Sequence, residues 1–160
     1  CLPNEHGYPY CCSSSCSRWL NDLFAEVRAG KADLDVIKLL IRNRLTWKAL
    51  VRSLVDALDD ECSAVRWIVV SVLDPVNLKR LDTPLEVVTE KIIQIFEKDP
   101  DCYVRHVAAE LLGKIASERA TEVLAKALHS PRLFYAASLG LRIAMGRLED
   151  VIKQRSSGGD

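Results

Sequence analysis

The chain has 160 residues, 22 basic and 22 acidic side chains for a formal net charge of zero, and a composition 49% apolar and 28% charged. That length suits one domain burying about two thirds of its unfolded surface, and the composition is ordinary for a soluble globular protein. Zero net charge argues against a dedicated nucleic-acid binder, whose affinity rests on basic excess, and no apolar run approaches the ~18 residues that suggest a membrane span.

Residues 1–16 hold Pro3, Gly7, Pro9 and a serine run without helical periodicity, and read as an irregular, cysteine-rich arm. From Ser17 to residue 155 the chain reads as helix after helix, with 156–160 as a disordered tail. The spacing predicts a first helix over roughly 17–29, with Trp19, Leu20, Phe24 and Val27 on one face and Gly30 as its stop. Helices over about 34–45, 47–58 and 61–73 follow, each with an apolar stripe at helical spacing. Residues 74–83 read as a loop connection. Thr83, Pro84 and Glu86 then form a capping-box restart for a helix to about Lys98, with Leu85, Val88, Ile92, Ile95 and Phe96 inward. Helices over 101–115, 118–129 and 131–145 complete the series. Ser130 and Pro131 open the last, Gly146 ends it, and 147–155 adds a short closing helix.

The helices repeat. "DECSAVRWIVVSVL" (60–73) aligns with "DPDCYVRHVAAELL" (99–112), so that Asp60 meets Asp99 and Arg66 meets Arg105. Fainter copies lie upstream, where Ile37-Lys38 stands for the Val-Arg pair, and downstream, where Ala136, Leu139, Gly140, Ile143 and Ala144 continue the stripe. One helix pair cannot bury both its faces, so such pairs stack into a continuous core. Ala108, Ala109 and Ala144 are small where helices approach. Arg66 and Arg105 are expected to reach an aspartate at a helix start, Asp60 or Asp99, in a structural ladder between repeats.

The unit "DPDCYVRHVAAELLGKIASERATEVLAKAL" resembles the HEAT repeat, in particular the short HEAT-like form of bilin-lyase subunits. The resemblance is carried by Asp99, Val104, Arg105, Ala108, Ala109, Leu111, Leu112, Gly113 and Ile115, and leaves residues 1–30 uncovered. It implies an all-α fold: an α-solenoid of stacked antiparallel helix pairs, a HEAT-like superhelix of three to four repeats behind a non-repeat N-terminal cap.

Sites of chemistry are sparse. His6, His106 and His129 are scattered, and the repeated His-Glu motifs of the HEAT-like iron hydroxylase are absent, which excludes that activity. HEAT-like DNA glycosylases pair a basic concave face with aromatics. Here the presumed inner helices carry Arg52, Asp56, Glu86, Glu90, Gln94, Glu122 and Lys126, a mixed to acidic face. The run Arg42, Arg44, Lys48 and Arg52 reads as a solvated helix face. No catalytic or cofactor-binding residue is assigned.

The remaining candidate is the arm, with Cys1, Cys11, Cys12 and Cys16. Its spacing fits no common zinc pattern, yet four thiols suffice for zinc or another metal. On a helix, Cys12 and Cys16 have Cβ atoms ~5–6 Å apart, too far for a disulfide, which prefers ~3.5–4.5 Å, but suited to two metal ligands. A structural or redox role, a metal site and lipidation stay open. Cys62 and Cys102, at two equivalent helix starts, read as small buried residues, with a disulfide between repeats as the alternative.

The chain therefore reads as a non-catalytic scaffold that binds another protein along its concave face or by the 74–83 loop. The alternatives are an accessory subunit of a bilin-lyase-type enzyme and a metal- or redox-responsive module. The expected compartment is the cytoplasm. Cys1 as first residue leaves export, lipid anchoring and a longer or processed chain open.

Overall fold

The computed structural model describes residues 13–45 and 48–157, and Cys1, Cys11 and Cys12 lie outside them. Among the described residues the chain is all-α, with helices α1 (Ser13–Arg28), α2 (Leu34–Arg42), α3 (Lys48–Asp56), α4 (Ser63–Val72), α5 (Pro75–Leu78), α6 (Leu85–Lys98), α7 (Cys102–Ile115), α8 (Glu118–Ala127) and α9 (Phe134–Ser157). They form two compact units, Cys1–Thr83 and Pro84–Asp160.

In the first unit α1 packs along α3 and α2 along α4, so the helices alternate between two layers. Leu20, Phe24, Ile41, Leu50, Leu54, Val65, Ile68 and Val69 are fully buried between them. The first helix therefore occupies a place in the stack that its sequence does not mark as a repeat. It begins at Ser13, before the predicted Ser17, so that Cys16 falls within it. Its end is the expected one. Gly30 takes a positive φ of 67°, its N–H reaches the Val27 carbonyl, and the Lys31 N–H reaches back to Glu26. That is a left-handed helix stop, which glycine adopts without a Cβ penalty.

The connection 74–83 is not a free loop. Asp74 caps α5 by accepting the Asn77 N–H at 2.9 Å, and Pro75 occupies the first turn. Pro75, Asn77 and Leu78 are buried, and α5 packs on α3. Asp82 is held to α3 by Lys48 at 2.5 Å and Arg52 at 3.0 Å, which keep its carboxyl below its ordinary pKa. The segment is a packed part of the first unit, and deleting it removes core.

In the second unit α7 and α9 form one layer and α6 and α8 pack against them. The α7–α9 contact is made at backbone distance. A Cβ on Gly113 overlaps the Gly140 carbonyl oxygen, and one on Gly140 comes within 2.6 Å of the Ala109 carbonyl oxygen. The expectation of small residues at the close approach holds for Ala108, Ala109 and Ala144, all buried, and the glycines make the approach closer still.

Three expectations for this unit are corrected. The Thr83–Glu86 capping box is not formed, because α6 starts at Leu85 with Pro84 at the cap position and no side-chain cap bond. Residues 131–133 are a turn, so the last helix begins at Phe134. Gly146 does not end it. α9 continues through Gly146 to Ser157, in place of the separate closing helix and the start of the tail. An interior glycine costs a helix only about 1 kcal/mol, which a long helix absorbs. The buried face of α9 is Ala137, Gly140 and Ala144, while Ala136, Leu139 and Ile143 are half-buried.

Candidate protein-binding groove

The first turns of α6 and α8 lie side by side and enclose an open groove of about 580 Å³. Glu86, Glu90, Glu118 and Glu122 line it, with Leu85 and Thr89 between them. Glu86 and Glu118 lie in the first turns of α6 and α8, where the amide dipoles favour negative charge. Thr89 is 3% exposed and returns its hydroxyl to the Leu85 carbonyl at 2.8 Å, which satisfies it inside the helix. Arg119 crosses the groove, donating to Glu90 at 2.9 Å and lying 3.6 Å from Glu122. The hydrogen bond to Glu90 raises the Arg119 pKa. Lys126 bonds Glu122 at 2.6 Å and holds its carboxyl below the usual range. Glu86 and Glu118 have no ion pair among the described residues. Four carboxylates against Arg119 and the Lys126 ammonium bonded to Glu122 leave the groove net acidic.

The sequence placed Glu86, Glu90 and Glu122 on this inner face but missed Glu118, Arg119 and Thr89. Their i, i+3 and i+4 spacings, Glu86–Thr89–Glu90 and Glu118–Glu122, are the signal that could have found them.

The repeat residues sit in matching places. Arg105 is 7% exposed and donates to the carbonyl oxygens of Asp99 at 2.7 Å and Pro100 at 3.1 Å. Arg66 donates to those of Asp60 at 2.7 Å and Glu61 at 2.9 Å. The aspartate side chains accept the N–H two residues on, Asp60 from Cys62 and Asp99 from Asp101, both at 2.9 Å. Each arginine thus hooks the turn of its own repeat by main-chain oxygens. Asp60 is also ion-paired with Arg28 at the end of α1. Burial pushes its carboxyl up, but the bonds from Arg28 and the Cys62 N–H outweigh this and hold it below the ordinary value. In α2 the equivalent position is Lys38, which lies over the Trp67 ring at 4.1 Å and pairs with Asp35 at 2.8 Å. The loss of the hook there explains why this copy is faint in sequence.

The basic run is engaged within its own unit. Arg42 donates to the Ser71 carbonyl at 3.2 Å, Arg44 stacks on Trp19 at 4.4 Å, and Lys48 and Arg52 hold Asp82. Cys62 and Cys102 are free thiols. Cys62 is half-buried and Cys102 exposed, against the expectation that both are buried. His106 lies 3.6 Å from Glu110 on an exposed face, and His129 is exposed. Among the described residues no three His, Cys, Asp or Glu side chains converge on a metal position, and no helix is long and apolar enough to cross a membrane.

No curated protein matches the chain. Residues 89–151 match the family model of HEAT repeats, a span that runs from within α6, through α7 and α8, into α9. The stacked helix pairs, the arginine-hooked turn before α7 and the family match agree that residues 89–151 are built as HEAT repeats.

Proposed function

We propose that the protein is a non-catalytic scaffold and that the α6–α8 groove receives a Lys/Arg-rich segment of a partner protein. The observation that carries this is the set of four carboxylates facing one open groove, two of them without an ion pair among the described residues. Helices packed in layers form a rigid wall, and a groove between parallel helices suits an extended or helical segment. Carboxylates spaced along it select basic side chains and speed their encounter. Leu85 supplies an apolar floor for the methylene stems of lysine and arginine. HEAT repeats commonly mediate protein–protein interaction, which supports the same reading.

Fluorescence anisotropy with a labelled Lys/Arg-rich peptide pool tests it. The expected result is saturable binding, weakened by salt and by the pair Glu86→Gln and Glu118→Gln, with an acidic pool unbound. Equal binding by the variant, or by the acidic pool, contradicts the assignment.

A further inference from the structure

A second surface lies on α9 and is independent of the groove. Phe134, Ser138, Leu141, Met145 and Leu148 follow one another at alternating steps of four and three residues, and the sequence carries the spacing on to an isoleucine at 152. That alternation is the heptad seam of a coiled coil. It lies roughly a quarter turn around the helix from the Ala137, Gly140 and Ala144 face that packs on α7. The unit covers it only in part: Ser138 and Leu141 are half-buried, while Phe134 is 45% exposed, Met145 62% and Leu148 61%. Ser138 returns its hydroxyl to the Phe134 carbonyl at 2.7 Å and so does not oppose apolar packing. Residues 145–150 are all exposed yet helical. An isolated helical end of that kind is marginal in water, so a partner for the seam would stabilise it.

Charge identifies the partner. Arg142 and Glu149 each follow a seam leucine and flank the seam on the same side. When two copies of α9 cross antiparallel about a two-fold axis near residues 146–147, Met145 layers on Leu148 of the second copy. Arg142 then faces Glu149 of the second copy, and symmetry repeats both contacts. A parallel pairing sets neither against the other. The zero net charge of the chain raises no long-range repulsion between copies. We propose that the protein forms a two-fold dimer through antiparallel α9 seams.

Sedimentation velocity on the full chain over a concentration series tests this. A monomer–dimer equilibrium is expected, abolished by the pair Met145→Glu and Leu148→Glu, which alter exposed side chains and should keep the wild-type helical circular dichroism. Arg142→Glu should weaken association roughly tenfold by turning two attractions into repulsions, and Arg142→Glu with Glu149→Arg should restore it. Gly146→Ala, off the seam and favouring the helix that carries it, should not weaken association. A wild-type protein that stays monomeric, a dimer indifferent to the Met145 and Leu148 changes, or a charge swap that fails to rescue overturns the proposal. The groove peptide assay reads none of these outcomes, so the two proposals fail separately.

Discussion

The guanidinium of Arg105 donates to the main-chain carbonyl of Asp99 at 2.7 Å, and one repeat earlier Arg66 makes the same bond to Asp60 at the same distance. Asp99 closes α6 and Asp101 caps α7, so this bond helps fix the turn between the two helices, together with the bond that Arg132 donates to the same Asp99 carbonyl. Arg105→Ala removes two bonds to main-chain oxygens, although the Asp99 oxygen keeps its bond from Arg132 at 3.0 Å, and should cost about 1 kcal/mol, read as a melting temperature lower by a few degrees. Arg66 is less buried and should cost less. An unchanged melting temperature for Arg105→Ala rules the hook out as a stabilising element.

The close approach of α7 and α9 makes an opposite pair of glycine predictions. Gly113→Ala and Gly140→Ala force a methyl group into the backbone of the facing helix and should each destabilise by roughly 1–3 kcal/mol or more. Gly146→Ala meets nothing within 4 Å and should stabilise α9 by up to ~1 kcal/mol. Thermal denaturation of the three variants side by side checks both signs.

Ala116 closes α7 with a left-handed φ of 51°, a conformation that disfavours a Cβ. Ala116→Gly removes the strain, offset in part by the freedom glycine adds to the unfolded chain. The net expectation is a small gain, ~0.5 kcal/mol, seen as a higher denaturation midpoint at unchanged slope. A loss of stability would show that the cap is not strained.

Asp60 links stability to pH. Its folded pKa lies below the ordinary 3.8, so the unfolded chain binds the proton more readily. The contribution of the ionised carboxylate is therefore full above that value and lost as pH falls through the lower folded value. Asp60→Asn keeps an acceptor for the Cys62 N–H and removes the charge together with one of the two oxygens that accept from Arg28. The melting temperature of Asp60→Asn should fall below wild type near neutral pH, with the gap closing below about pH 4. A gap that persists unchanged into acid contradicts the linkage.

Much of this fold is legible in the sequence because a helix that buries one face must repeat its apolar residues. Leu20, Phe24 and Val27 in α1 and Val65, Ile68 and Val69 in α4 are read directly from that spacing and are buried. What escapes is set by tertiary neighbours. In α9 two faces are apolar, the inner one small (Ala137, Gly140, Ala144) and the outer one large (Met145, Leu148), and periodicity alone cannot choose between them. The short helix α5 carries a cap-and-proline signal in Asp74-Pro75, but Ser130-Pro131 carries the same signal and opens only a turn, so the dipeptide alone does not decide. The groove is half legible. Glu86, Glu90 and Glu122 could be placed on inner faces, but Arg119 and Glu118 join them only because α6 and α8 pack side by side.

The proposed docking place for a partner is the α6–α8 groove. Amide chemical-shift mapping of the full chain, titrated with a Lys/Arg-rich peptide, tests it most directly. Shifts are expected at Leu85, Glu86, Thr89, Glu90, Ser117, Glu118 and Glu122, and are lost in the Glu86→Gln and Glu118→Gln variant. Shifts scattered over the surface, or gathered on another face, contradict it.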